Sequence, residues 1–153
     1  MEIYLIRHIA AVNRDKWHEN DMARPLTEKG IKSGKKIFKN FCRTFNKPSI
    51  VISSEAERAK TTAEILNKYC NVKLIIDKRL NPGAAISDYH EVISSTSSYD
   101  VIALVGHEPD MSRFVSAYLT EGKLQILLKK GTICHIKDGI LVNLVQPKIL
   151  KRK

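Results

Sequence analysis

The sequence is poor in cysteine. Its 153 residues include only Cys42, Cys70 and Cys134, an odd number, and none of them forms a Cys-x-x-Cys arrangement. Neither a disulfide framework nor a structural zinc site is therefore indicated. We expect all three thiols to be reduced, in the core or at the surface, as is usual in a cytosolic protein.

Long apolar runs are also missing. No stretch reaches the 18 or more apolar residues that a membrane-spanning helix needs. The apolar segment 1–6 is followed at once by Arg7, so it is too short for the core of a signal peptide. We expect a cytoplasmic protein with no membrane partner.

Aromatic residues make up only 7% of the chain, although Lys and Arg outnumber Asp and Glu by 26 to 16. The lysines are scattered and do not alternate with aromatic side chains as a base-stacking surface requires. The densest basic run is residues 148–153, which we expect to fray in solvent. Nucleic acid is therefore not an expected partner, despite the net charge of +10.

Four short β-branched runs alternate with amphipathic helical patterns. The runs are residues 2–6, 49–52, 72–76 and 101–105, and the helical patterns cover residues 27–45, 57–69, 86–95 and a segment after Pro109. This order predicts an α/β fold, a three-layer α/β/α sandwich with a mostly parallel central sheet. Because neither a linker nor a repeat is visible, we expect one domain over residues 1–153.

The last third of the chain has a different pattern. Residues 131–137 and 140–145 flank Asp138-Gly139, a strong signal for a hairpin turn. An antiparallel hairpin is therefore predicted at one edge of the parallel sheet.

Basic and imidazole groups follow three of the predicted strands. Arg7 and His8 end the first, Arg58 opens the helix after the second, and His107 ends the fourth. Arg24 lies in the loop after His8. Ligands of open α/β sheets bind beyond the carboxyl ends of the strands, so these groups should converge there without an obligatory carboxylate among them.

Such a site suits a small, dense anion, and phosphate pairs well with guanidinium groups and helix N-termini. One histidine or arginine at such a position is usually structural, but the combined spacing favours a functional site. Neighbouring arginines disfavour the charged form of an imidazole. His8 should therefore remain neutral and nucleophilic.

The sequence resembles the histidine phosphatase superfamily, with its phosphoglycerate mutase-like fold, and within it the SixA-type phosphohistidine phosphatases. Four segments carry the resemblance, which extends to about residue 136: IYLIRHIAAV, ARPLTEKG, SSEAERAKTTAEIL and VGHEPDMSRF. It implies that His8 is the nucleophile, that Arg7, Arg58 and His107 bind the phosphoryl group, and that Arg24 assists substrate binding.

The resemblance also implies a metal-independent phosphatase without a cofactor. Its substrate would be a protein phosphohistidine or a small phosphorylated compound, and inorganic phosphate would be a product. A catalytically weak module that binds phosphoproteins or phosphometabolites is the alternative. A mutase typically needs a longer chain and a carboxylate donor.

Two positions depart from the family pattern, and the identity of a proton donor is open. Ile9 stands where glycine is common, and Glu55 replaces the usual proline. Residues 80–83, which correspond to a segment that carries a catalytic glutamate in mutases, contain no carboxylate. Glu108 could donate a proton at the leaving group or cap the following helix, and we favour the cap.

Overall fold

A computed structural model describes residues 1–152, in which six strands form one mixed sheet. The strands are β1 (Glu2–Arg7), β2 (Ile50–Ser53), β3 (Lys73–Ile76), β4 (Val101–Gly106), β5 (Ile133–Lys137) and β6 (Ile140–Val145). Their order is β3-β2-β4-β1-β5-β6. The first four are parallel, whereas β5 runs antiparallel to β1 and β6 antiparallel to β5.

Helices cover both faces of this sheet. They are α1 (Glu28–Thr44), α2 (Glu57–Cys70), α3 (Ile86–Ser95), α4 (Asp110–Thr120) and the short α5 (Pro147–Leu150). Apolar residues of α1, α2 and α5 share one hydrophobic cluster, and those of α3 and α4 share a second. The expected three-layer sandwich with a mostly parallel sheet is confirmed.

Strand β1 lies at the centre of the molecule and supplies side chains to both clusters. Tyr4 and Ile6 point into the α1/α2 cluster, whereas Ile3 and Leu5 point into the α3/α4 cluster. All four are at most 2% exposed. Alternate side chains of β1 therefore pack into opposite faces of the sheet, as expected for a strand that is buried on both faces.

The edge hairpin is also confirmed. Asp138 and Gly139 connect β5 to β6 with φ values of 50° and 77°. Both residues therefore adopt the left-handed conformation of a type I′ turn, which Gly tolerates without steric cost and Asp accepts more readily than most residues.

The C-terminal segment differs from the frayed tail expected from residue 148. Pro147–Leu150 form a helical turn, and the Leu150 side chain is buried in the α1/α2 cluster. Asn40 on α1 donates side-chain hydrogen bonds to the carbonyls of Leu150 and Arg152. The apolar residues inside this basic run therefore anchor it; Lys153 lies outside the described residues.

Within residues 1–152, no helix has the length and apolar character needed to cross a membrane.

Candidate active site

The two histidines of the predicted site meet because their strands are paired in register. In the parallel ladder between β1 and β4, Arg7 stands opposite Gly106. His8 and His107 therefore leave the sheet side by side, with their ring centroids 5.3 Å apart. Both are almost fully buried, at 5% and 3% exposure.

The loop after His8 folds back over this edge of the sheet and brings Arg24 to the site. A bridge between Ala11 and Leu26 closes the loop, and Thr27 caps α1 by accepting a hydrogen bond from the Gly30 N–H. A Cβ at position 30 would lie 2.2 Å from the Ala10 carbonyl oxygen. Only glycine allows this close approach between helix and loop.

The five predicted residues line a single cavity of about 210 Å³. Its walls also include Asn13, Arg14, Pro82, Glu108 and Lys130. Five of the lining side chains are cationic and one is a carboxylate, so the cavity carries a strongly positive potential. A small polyanion is the ligand that this charge and volume favour.

The tautomer of His8 is fixed by its main chain. Its Nδ1 lies 2.8 Å from the Ile9 carbonyl oxygen, which can only accept, so Nδ1 carries the proton and Nε2 keeps its lone pair. Burial lowers the pKa of His8 to about 3; the Ile9 hydrogen bond opposes this shift, and the charges of Arg58, Arg7 and Lys130 add to it. The imidazole is therefore neutral at physiological pH.

His107 is held through Ser54. Its Nε2 lies 2.8 Å from Ser54 Oγ, while its Nδ1 is buried without a protein partner. Burial, together with the proximity of His8 and Arg58, lowers the pKa of His107 to about 2. The Ser54 hydroxyl donates its hydrogen to Asn81 Oδ1 at 3.2 Å, so Ser54 Oγ accepts from His107 Nε2, and Nδ1 of the neutral ring carries no proton.

The arginines are fixed by main-chain carbonyls and keep donors free. Arg7 donates through Nη1 to the Leu128 carbonyl at 2.7 Å, and Arg58 through Nη1 to the Asp21 carbonyl at 2.9 Å. The Nε–H groups of both arginines are buried without a protein acceptor. Unpaired buried donors are costly, so these two Nε–H groups, on arginines that line one cavity, fit an oxyanion ligand.

A carboxylate lies among these cations, contrary to the expectation from sequence. Asp21 Oδ2 accepts from Arg58 Nη2 at 3.1 Å, and Asp21 Oδ1 accepts from Arg24 Nε at 3.0 Å. The hydrogen bond from Arg24 and the charges of Arg58, Arg24 and Arg14 lower the pKa of Asp21, against the opposing effect of burial. The signal for Asp21 was its position three residues before Arg24, which places both side chains at one 3₁₀ turn, Asp21–Ala23.

Glu108 occupies the position between the cavity and α4. Its carboxylate accepts hydrogen bonds from the backbone N–H of Ser112, at 2.9 Å, and from the Ser112 hydroxyl. Ser112 lies in the first turn of α4, whose N–H groups have no partner within the helix. These contacts are those of a helix cap, although Glu108 still lines the cavity.

Both departures from the family pattern have a structural explanation. The Ile9 side chain points away from the cavity into the α1/α2 cluster, where a Cβ on Gly34 would lie 2.4 Å from Ile9 Cδ1. The absence of a side chain at Gly34 therefore makes room for Ile9. The Glu55 N–H donates to Asn81 Oδ1 at 2.8 Å, a hydrogen bond that proline could not make.

Lys130 was missed by sequence reasoning. It precedes Gly131, whose N–H lies within hydrogen-bonding distance of the carbonyls of Arg7 and His8. Because β5 runs antiparallel to β1, the chain entering β5 passes the carboxyl end of β1. The hairpin signal predicted β5 but not its partner strand.

Among the described residues, no group of three or more His, Cys, Asp or Glu side chains could hold a metal ion.

Comparisons with known proteins show the family and the fold of the chain. A family model described as the histidine phosphatase superfamily, branch 1, matches residues 3–82. No curated protein sequence matches the chain. Among solved structures, the protein histidine phosphatase SixA complexed with tungstate has a TM-score of 0.86 at 19% identity, with 99% of this chain and 100% of that chain covered.

Two further structures have the same fold. A protein named SixA from Agrobacterium tumefaciens has a TM-score of 0.84 at 21% identity, covering 95% of this chain and 97% of its own. Phosphoglycerate mutase from Bacillus anthracis has a TM-score of 0.73 at 15% identity, covering 97% and 94%. The phosphoglycerate mutase-like fold predicted from the sequence is therefore confirmed.

The neutral histidines predict a specific pH dependence of stability. The folded-state pKa of His8, about 3, lies below the roughly 6.5 of an unfolded histidine. The unfolded chain then binds the extra proton, so stability is complete above pH 6.5 and is lost as pH falls toward 3. His8 alone should account for roughly 2 kcal/mol of the unfolding free energy lost between pH 7 and pH 5. We therefore expect the unfolding free energy of His8→Asn to fall by about 2 kcal/mol less than that of the wild type between pH 7 and pH 5. Urea unfolding of both proteins in phosphate-free buffer measures this difference. Equal losses in both proteins would contradict the buried, neutral assignment.

Asp21 should stabilise the resting site as the counter-charge of Arg58. Replacing its carboxylate in Asp21→Asn should lower the unfolding free energy by about 1 kcal/mol in phosphate-free buffer, because buried Arg58 loses a charged acceptor. Added tungstate should stabilise this variant more than the wild type, since the anion replaces the lost negative charge. Asp15→Asn, an exposed neighbour, is the matched control. Equal stabilisation of Asp21→Asn and wild type by tungstate would show that Asp21 does not balance the site.

Proposed function

The chain belongs to the histidine phosphatase superfamily, branch 1, and on this basis we propose that it is a phosphatase in which His8 accepts the phosphoryl group. The observation that carries the proposal is the bare Nε2 of His8 in a cavity that is also lined by His107 and by two arginines with unpaired donors, Arg7 and Arg58. A nucleophile and its oxyanion donors thus share one small cavity.

The proposed reaction has two steps. Nε2 of His8 attacks phosphorus, the bond to the leaving group breaks, and a phosphoimidazole forms. Water then attacks this intermediate and releases inorganic phosphate, which returns His8 to its neutral form. Because Nδ1 donates to the Ile9 carbonyl, the imidazole keeps the required tautomer throughout.

The remaining predicted residues would stabilise charge on the transferred group. We propose that Arg7, Arg58 and His107 donate to the equatorial oxygens, where negative charge spreads in the transition state. For His107 this requires the Ser54 hydroxyl to turn from Asn81 Oδ1 to Nε2, which puts the ring proton on Nδ1. Arg24 donates to the Val12 carbonyl and to Asp21, so its role is to raise the local potential and bind substrate oxygens with its remaining N–H groups. No step of this mechanism requires a metal ion.

Phosphoenzyme trapping tests the nucleophile. Rapid acid-free quenching during turnover of an activated aryl phosphate should yield an acid-labile, base-stable phosphoryl group on His8. His8→Asn should lose at least about 10³-fold in kcat, and Arg58→Met about 10²- to 10³-fold. Arg43→Met, an exposed arginine at the far end of α1, is the control and should retain wild-type activity.

The same assay separates the alternatives. Excess EDTA should leave the rate unchanged, and tungstate or vanadate should inhibit by occupying the oxyanion site. Loss of activity with EDTA that zinc or magnesium restores would overturn the metal-free mechanism. Tight tungstate binding without measurable turnover of any phosphorylated substrate would instead identify a phosphoryl-binding module.

The substrate class follows from the leaving group. Expelling an alkoxide requires a general acid at the leaving oxygen. Both Glu108 oxygens are engaged by Ser112, and Asn81 in segment 80–83 is bonded to Ser54 and Glu55. A phosphohistidine needs less assistance, since its imidazole is a much better leaving group. We therefore propose a protein phosphohistidine as the substrate, which agrees with the activity named for the tungstate-bound SixA neighbour.

Relative rates test this assignment. The enzyme should hydrolyse a phosphohistidine-bearing carrier protein and aryl phosphates at least about tenfold faster in kcat/KM than phosphoserine or glycerol phosphate, a difference of about 1.4 kcal/mol in barrier. Glu108→Gln should leave the phosphohistidine rate within a few-fold of wild type, as should the control Glu121→Gln at the other end of α4. Efficient alkyl monoester hydrolysis that Glu108→Gln alone abolishes would identify Glu108 as a proton donor.

A further inference from the structure

Two of the three cysteines meet in space, although 28 positions separate them in the chain. Cys42 lies on α1, and Cys70 is the last residue of α2. Their Sγ atoms are 3.3 Å apart. Cys134 is buried in the other hydrophobic cluster, on the opposite face of the sheet. The Cys42–Cys70 pair is therefore a separate feature of the α1/α2 layer.

The pair lies away from the candidate active site. Thr27 and Gly30 begin α1 beside the loop that follows His8, and Arg58 begins α2 at the cavity. Both helices run from that edge toward the amino ends of the strands, so their final turns, which carry the thiols, lie at the opposite pole of the molecule.

The two thiols have different surroundings. Cys42 is partly exposed, whereas Cys70 is buried. The hydrogen bond with Cys70 and the charge of Lys47 lower the pKa of Cys42, and burial opposes this. The hydrogen bond with Cys42 and burial raise the pKa of Cys70. An accessible, acidic thiol beside a second thiol is the arrangement in which an oxidised cysteine is readily resolved.

We propose that Cys42 and Cys70 form a redox-active pair that peroxides convert into an intramolecular disulfide. The Cys42 thiolate attacks one peroxide oxygen, the O–O bond breaks, and water and a sulfenic acid result. Cys70 loses its proton and attacks the sulfenic sulfur, which expels hydroxide as a second water. Two thiols and one hydrogen peroxide thus give one disulfide and two waters.

The geometry requires little movement. A disulfide bond is about 2.05 Å long, so the sulfurs need to approach by about 1.3 Å, within reach of small side-chain rotations. The cross-link would close a loop over residues 42–70, which contains β2 and the whole of α2, including Arg58. By restricting the unfolded chain, it should raise the Tm by about 10 °C. Because it lies opposite the cavity, kcat at 25 °C should stay within twofold of the reduced protein.

Mass spectrometry of the full chain tests the proposal. Treatment with a few equivalents of hydrogen peroxide at low protein concentration should decrease the intact mass by 2 Da, and dithiothreitol should reverse the change. A non-reduced digest should contain a peptide pair that joins Cys42 to Cys70. Cys134→Ser should behave as the wild type, whereas Cys42→Ser should not lose 2 Da.

The intermediate can be trapped separately. In Cys70→Ser, peroxide followed by dimedone should label Cys42, because the sulfenic acid has no resolving partner. Circular dichroism establishes that each variant is folded before oxidation. Three outcomes would overturn the proposal: no 2 Da loss in the wild type, a disulfide that forms only between two chains, or dimedone labelling of Cys134 in place of Cys42.

Discussion

The concentration of positive charge at the carboxyl ends of β1, β2 and β4 is the constraint on which the site depends. Arg24 and Arg58 are 6% and 2% exposed, and burying charges without partners is expensive. Main-chain carbonyls of Val12, Asp21 and Leu128, together with one carboxylate, satisfy only part of the guanidinium donors. A bound oxyanion would accept from the remaining donors, so the same unpaired donors that cost stability in the resting protein would supply affinity for the ligand.

Burial and this positive charge together keep both histidines neutral. Burial is the largest cause of the lowered pKa of both His8 and His107, and neighbouring cations shift each further. Neutral imidazoles avoid adding two more charges to the cavity. The carbonyl of Ile9 then selects the tautomer of His8, and that carbonyl is positioned because the Ile9 side chain is anchored in the core. A residue that differs from the family pattern thus supports the orientation of the His8 ring through packing.

Several features of the site could be predicted from the sequence because they are local. Arg-His directly after an apolar strand, Arg in the first turn of a helix and Gly-His before a helix are positions along the chain, and the rule for open sheets places them at one edge. The contacts between segments were not predictable in this way. The pairing of Asp21 with Arg58 joins residues 37 positions apart, and Lys130 reaches the cavity only because β5 pairs with β1.

The sequence by itself therefore determined the element types, the alternation that buries β1 on both faces, the hairpin turn and the identity of the predicted reactive groups. These follow from hydrophobic periodicity, turn chemistry and short motifs, which act over a few residues. Only the tertiary structure decided that a carboxylate balances the arginines, that Glu108 is bonded to α4, and that Cys42 meets Cys70. Each of these depends on distance between remote segments, and strand order and helix packing set that distance.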